Sequence, residues 1–186
     1  MSILDGMPSN EDELKAAVEF AAPYLDKAVA DSPARVAGVM ELMKEGLSLG
    51  DIMGLKKEHR DALLVQAGRL LKAGEVGKAR DVLIVLYQIE PLDERTIYML
   101  AMTYQIEGDL TAAGKLYVVF LALDATNPEG HLRLAECFLS AKEFENAEQS
   151  FSMAKNFAKS AGDAACAAYA EKMLEITRGR RKAAMS

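Results

Sequence analysis

Three consecutive stretches of this chain superimpose at a step of 34 residues with no insertion between them. Ala67, Ala101 and Ala135 fall at one phase of the step, and Ala79, Ala113 and Ala147 at another. Large apolar residues keep the same step: Leu70, Tyr104 and Phe138, then Leu83, Tyr117 and Phe151. Between the two sets lies a turn that repeats as Gly74-Glu75, Gly108-Asp109 and Lys142-Glu143. A unit this short cannot bury its own apolar face, whereas stacked copies bury a continuous core. The step therefore constrains the chain to a solenoid of repeated supersecondary units.

A period of 34 residues is that of the tetratricopeptide repeat, a helix–turn–helix unit. The pattern predicts six helices in three hairpins, near 58–73 and 77–90, 94–107 and 111–124, and 128–141 and 145–159. Pro91 and Pro128 mark the joints. The repeated alanines have a physical reason. Where two helices cross at ~8–10 Å, a small side chain lets the backbones approach, and Leu83, Tyr117 and Phe151 fill the space beside the crossing. The expected fold is all-α: three tandem repeats forming a concave superhelical solenoid, with N-terminal helices before them and a C-terminal capping helix after them. The expected domains are 1–57, a helical region with a possible dimerisation role, 58–159, the repeats, and 160–186, a capping helix over about 163–178 followed by a basic tail. Gly46 to Leu55 reads as a compact connector whose glycines permit tight turns.

Apolar residues make up 51% of the 186, which argues against disorder. The net charge of −6 makes nucleic acid a poor partner, since neutralising phosphates takes a basic face. The one basic cluster, Arg178 to Lys182, reads as a solvated tail that favours the negative end of the last helix. Two cysteines, Cys137 and Cys166, fall among small or apolar neighbours, where Cys behaves as a small hydrophobe. No secretory signal and no membrane-spanning apolar run are visible. The expected setting is a reducing compartment.

In a stack of this kind the first helix of each hairpin lines the concave face. The register places Leu64, Gly68 and Leu71 there from the first repeat. Tyr98, Met102 and Gln105, with Ile106 beside them, come from the second, and Leu132, Glu136 and Leu139 from the third. The strip is mostly apolar, with one hydroxyl, one amide and one carboxylate, and Met suits a permissive surface. A cationic clamp for a C-terminal carboxylate requires Lys, Arg and Asn at these positions, and they are absent. An extended apolar segment of a partner fits better, although an apolar stripe at helical spacing is also what a plain core helix shows. Catalytic constellations are not visible. His59 and His131 lie in different segments outside any metal-ligand spacing, and the Gly-rich stretch 46–54 lacks the pattern of a phosphate cradle. No enzyme activity, cofactor or metal is expected.

Two segments carry a family resemblance. Glu45 to Leu55, ahead of the first repeat, is similar to the Gly-x-Thr-Leu-x-Asp-hydrophobic segment of the class II chaperones of type III secretion systems, with Ser48 in place of Thr. Leu134-Ala135-Glu136-Cys137-Phe138-Leu139, followed by Glu145 to Phe151, resembles their third repeat. The likeness spans roughly residues 35–178. It implies a bacterial cytosolic chaperone that binds hydrophobic translocator proteins through an extended segment in the groove and does not hydrolyse ATP. It also implies self-association through the N-terminal helices, for which Leu14, Val18, Phe20, Val36, Val39 and Met40 are the candidates; the same residues serve equally to cap the first repeat within one chain. The alternative function is that of a generic repeat adaptor assembling folded partners.

Overall fold

A computed structural model describes residues 2–5 and 48–185. The dimerisation candidates Leu14, Val18, Phe20, Val36, Val39 and Met40 lie outside the described residues. Among the described residues the structure is all-helical. A short α1 (Leu49–Ile52) precedes the hairpins α2 (Lys57–Lys72) with α3 (Val76–Ile89), α4 (Glu94–Glu107) with α5 (Leu110–Leu123), and α6 (Pro128–Ser140) with α7 (Phe144–Ala161). The long α8 (Ala164–Met185) packs on α7 and touches α6. Each hairpin packs internally and then against the first helix of the next, as a stacked repeat requires.

The crossing residues behave as the register requires. All six repeated alanines, from Ala67 to Ala147, are 0% exposed, and so are Leu83, Tyr117 and Phe151 beside them. The hairpin turns share one backbone solution. The amide of Glu75 donates to the Leu70 carbonyl at 2.9 Å, Asp109 to Tyr104 at 3.0 Å and Glu143 to Phe138 at 2.8 Å. Closing a helix this way puts the preceding residue in the left-handed region, where glycine carries no Cβ penalty. Gly74 (φ 77°) and Gly108 (φ 85°) meet that requirement, while the third turn puts Lys142 there at φ 62°.

Helix starts follow their capping residues. The Asp109 carboxylate accepts from the Ala112 amide at 3.0 Å, and Asn127 from Gly130 at 3.1 Å with Pro128 in the first turn. In α1, Ser48 and Asp51 cap each other reciprocally, and Arg60 reaches Asp51 at 2.9 Å and Glu90 at 3.0 Å. The Ser48 hydroxyl, then the Arg60 guanidinium, hold the Asp51 carboxyl down at about 2.

The end of the chain differs from the sequence expectation. The helix does not stop near 178 but runs to Met185, so the basic cluster is helical. Arg181 meets Glu145 at 2.7 Å and Glu148 at 3.4 Å, and Arg178 meets Glu148 at 3.7 Å. Cations spaced three apart share one face of a helix, and here that face lies against the acidic start of α7.

Candidate functional site

The first helices α2, α4 and α6 bring the ten groove candidates onto one register, but the structure treats them unequally. Leu64, Leu132 and Leu139 are buried. Gly68 is half-buried beside Met99 of α4, and a Cβ there would make an ordinary contact with the Met99 methyl at 3.6 Å. Leu71, Tyr98, Met102, Gln105 and Glu136 are half-buried, and Ile106 is 57% exposed. The three leucines are thus core residues, and the accessible members are the apolar Leu71, Met102 and Ile106 with the polar Tyr98, Gln105 and Glu136.

Those polar members join into one network. The Tyr98 hydroxyl donates to Glu129 at 3.0 Å and accepts from Arg133 Nε at 3.3 Å. Arg133 spans α6 from Glu129 (2.9 Å) to Glu136 (3.2 Å). The Gln105 amide donates to Glu136 at 3.1 Å, and its carbonyl accepts from the Tyr117 hydroxyl at 2.7 Å. Tyr169 of α8 donates to the other Glu136 oxygen at 3.1 Å. Charge-assisted bonds are the stronger class; here they tie α4, α6 and α8 together, and the neutral Tyr117–Gln105 bond adds α5. Burial pushes the Tyr98 phenol up to about 12, so it stays a neutral donor at any physiological pH.

Two clefts open along this face. One, of about 330 Å³, is lined by Tyr98, Met99, Phe120 and Asn127 together with the charged Glu94, Arg95 and Glu129. Its wall is aromatic: Tyr98 packs on Phe120 at 5.3 Å and on Tyr117 at 5.9 Å between centroids. The other, of about 410 Å³, lies between α6 and α8 and is lined by Leu132, Arg133, Glu136, Asp163, Cys166 and Tyr169, among others. Phe120, Glu129, Arg133 and Tyr169 are absent from the sequence reading of this face. Arg133 follows Glu129 by four residues and precedes Glu136 by three, the spacing of ion pairs along one helix face, which is a signal visible in the sequence. The guanidinium is held between two carboxylates and is no free clamp for a third.

His131 and Cys137 are held in structural roles. His131 Nε2 lies 2.9 Å from the Ala125 carbonyl oxygen, and its ring stacks on Phe157 at 5.1 Å. Cys137 is fully buried, and burial pushes its thiol up to about 12. Among the described residues no group of His, Cys, Asp or Glu is arranged to hold a metal ion, and no helix is long and apolar enough to cross a membrane.

No protein-family model matches the sequence, and no curated protein matches it at the sequence level. Solved structures do. PcrH of Pseudomonas aeruginosa, in complex with the chaperone binding region of PopD, is 26% identical with a TM-score of 0.66, covering 69% of this chain and 97% of its own. The Yersinia enterocolitica type III secretion translocator chaperone SycD is 20% identical with a TM-score of 0.66, covering 70% of this chain and 98% of its own. A type III secretion complex from Aeromonas hydrophila is 22% identical with a TM-score of 0.73, over 78% and 98%. The chain has the fold of the type III secretion translocator chaperones. PcrH has been crystallised with the chaperone binding regions of PopD and of PopB, and SycD with a peptide of the translocator YopD and as an alternative dimer. The translocator-chaperone fold accounts for nearly the whole length of each of these relatives.

Proposed function

We propose that this chain is a cytoplasmic chaperone of a type III secretion system that holds hydrophobic translocator proteins soluble and ready for export. It does so by binding an extended cargo segment along the face of α2, α4 and α6, without catalysis or cofactor. The observation that carries this reading is the fold shared with PcrH, itself crystallised with two chaperone binding regions, together with an aromatic-walled cleft on the face where the repeat register places the binding residues. In this reading Tyr98 and Met102 contact the cargo directly, Gly68, Leu71 and Ile106 extend the strip, and Leu64, Leu132 and Leu139 form its floor. Gln105 and Glu136 present hydrogen-bonding groups to the peptide. Covering an apolar cargo segment removes from water the surface that drives its aggregation. Residues 1–57 serve self-association, 58–159 carry the cargo site, and 160–186 cap the stack.

Co-expression with an apolar secreted protein from the same gene cluster tests the proposal. The comparison is between the natural chain and Tyr98→Glu plus Met102→Glu, with circular dichroism as the check that the variant folds. The natural chain is expected to keep the cargo in a soluble complex and the folded variant to lose it. Equal solubilisation by both overturns the groove site and favours an adaptor acting through other surfaces.

A further inference from the structure

The second feature of the chain that is built like a binding site lies away from the first-helix face. Residues 2–5 are seated on the repeats. Ile3 is 6% exposed and joins the buried cluster that holds Ala113, Tyr117 and Phe138, with Leu4 packed beside it. Glycine at 114 leaves room for this close seating: a Cβ there would lie 2.7 Å from Ile3 Cδ1 and 3.5 Å from Leu4 Cδ2, so Ile3 would have to shift. The Glu143 carboxylate grips the segment from the next hairpin. Its Oε1 accepts from the Ile3 amide at 2.6 Å and its Oε2 from the Ser2 hydroxyl at 2.8 Å, while Asn146 steadies Oε2 at 2.8 Å.

Both halves of the seat depart from the repeat at this one place. The positions 34 residues before and after Gly114 are Arg80 and Glu148. The counterparts of Glu143 serve their own helices, Glu75 by pairing with Lys78 at 3.1 Å and Asp109 by capping Ala112 at 3.0 Å. The seated segment also holds its turn through its own hydrogen bonds. The Ser2 amide donates to the Asp5 carboxylate at 3.0 Å, the Asp5 amide to the Ser2 carbonyl at 3.0 Å and the Leu4 amide to the Ser2 hydroxyl at 3.2 Å. A ligand that holds its bound shape through its own hydrogen bonds loses little freedom on docking.

We propose that this slot is a peptide-docking site, separate from the first-helix face, whose ligand is a Ser-aliphatic-aliphatic-Asp turn. This chain's own residues 2–5 supply that turn in cis, and the same residues of a second copy supply it in trans. Docking in cis and in trans makes the same contacts, and a docked terminal segment is the kind of element that identical chains exchange at low cost. None of the residues lining the two clefts of the first-helix face is used, so the site does not depend on the cargo reading.

The test uses the full chain with Ile3→Asp and Leu4→Asp, which empties the slot, and a dye-labelled peptide of residues 2–10 as the probe, read by fluorescence anisotropy. The emptied chain is expected to bind the peptide at least tenfold more tightly than the natural chain. Adding Glu143→Ala or Gly114→Leu is expected to weaken that binding at least tenfold, and Val65→Glu, on the exposed side of the first hairpin, to leave it unchanged. Thermal melting of each variant checks its fold. An emptied, folded chain that does not bind the peptide, or that binds it equally with Gly114→Leu, overturns the site. Ile3→Cys with Gly114→Cys in a Cys166→Ser background tests the exchange without emptying the slot. A disulfide within the monomer, with a covalent dimer whose share rises with protein concentration, supports the proposal. Monomer crosslinking alone at every concentration overturns the exchange in trans, and no crosslinking overturns the seat itself.

Discussion

The first and third hairpins follow one template and bury very different amounts of it. In α2 only Leu64 and Ala67 are buried, whereas α6 buries Gly130, His131, Leu132, Leu134, Ala135, Cys137, Phe138 and Leu139. On the first hairpin Val65 is 55% exposed and Val85 49%. Their helices are not worse formed. The difference is in neighbours: the third hairpin is packed by α5 on one side and α8 on the other, while among the described elements the first has α4 and only the short α1. The repeat therefore encodes the crossing, the turn and the register, and the position in the stack decides how much of each helix becomes core.

The sharpest way to break this comparison is to truncate one repeat phase in both hairpins. Phe138 is 4% exposed and its first-hairpin counterpart Leu70 is half-buried. Phe138→Ala is expected to cost about 3–5 kcal/mol, and Leu70→Ala about 1–2, since only part of its surface leaves contact with the core. Urea denaturation of the two variants reads the difference. Equal losses would mean that the template alone, and not the neighbours, sets the energetics.

The same distinction explains what was legible in the sequence. The hairpins, their turns and the crossing alanines were legible because they recur, and a residue that must be small at each crossing leaves a periodic trace. The buried leucines Leu64, Leu132 and Leu139 share that trace with the accessible residues of the same helices, so periodicity does not separate core from surface. The network around Arg133 is only half legible: its pairs with Glu129 and Glu136 keep the spacing of one helix face, while the bonds that tie it to the second repeat cross between repeats. Tyr98 with Glu129 and Gln105 with Glu136 are each 31 residues apart, and Tyr98 with Arg133 is 35 apart. Residues on neighbouring first helices meet at separations a few residues to either side of the period, so polar pairs near 31 and 35 are the signal to look for. The seat of Ile3 left no periodic trace of that kind, only the missing side chain at Gly114.

Burial in the third hairpin also has a chemical consequence that the edge of the stack lacks. Cys137 in α6 is 0% exposed, while Cys166 near the start of α8 is partly accessible. Iodoacetamide is expected to modify Cys166 first and Cys137 only on unfolding, which mass spectrometry of the labelled peptides reads directly. Burial, reinforced by Glu136, raises the folded-state thiol of Cys137 from 9.0 to about 12. The unfolded chain then releases this proton at lower pH than the folded one, so stability held below pH 9 is lost as pH rises towards 12. The Tyr98 phenol, raised from 10.0 to about 12 by burial, acts in the same direction. Melting temperatures measured between pH 8 and 11 are expected to fall, and Cys137→Ala is expected to flatten the first part of that fall.

The smallest effect concerns the one turn residue that departs from its repeat. Lys142 occupies the left-handed position that Gly74 and Gly108 fill in the other two turns. A side chain there costs roughly 1–2 kcal/mol, while glycine adds roughly 0.5–1 kcal/mol of freedom to the unfolded chain. The two terms oppose each other, so Lys142→Gly is expected to stabilise the third hairpin by only about 0.5 kcal/mol, and Gly108→Lys to destabilise the second by about as much. A gain at 142 matched by a loss at 108 would show that the three turns share one conformational demand and differ only in how well the residue meets it. A loss at 142 would show that the turn beside Glu143 is held by its contacts with residues 2–5 more strongly than by its own backbone preference.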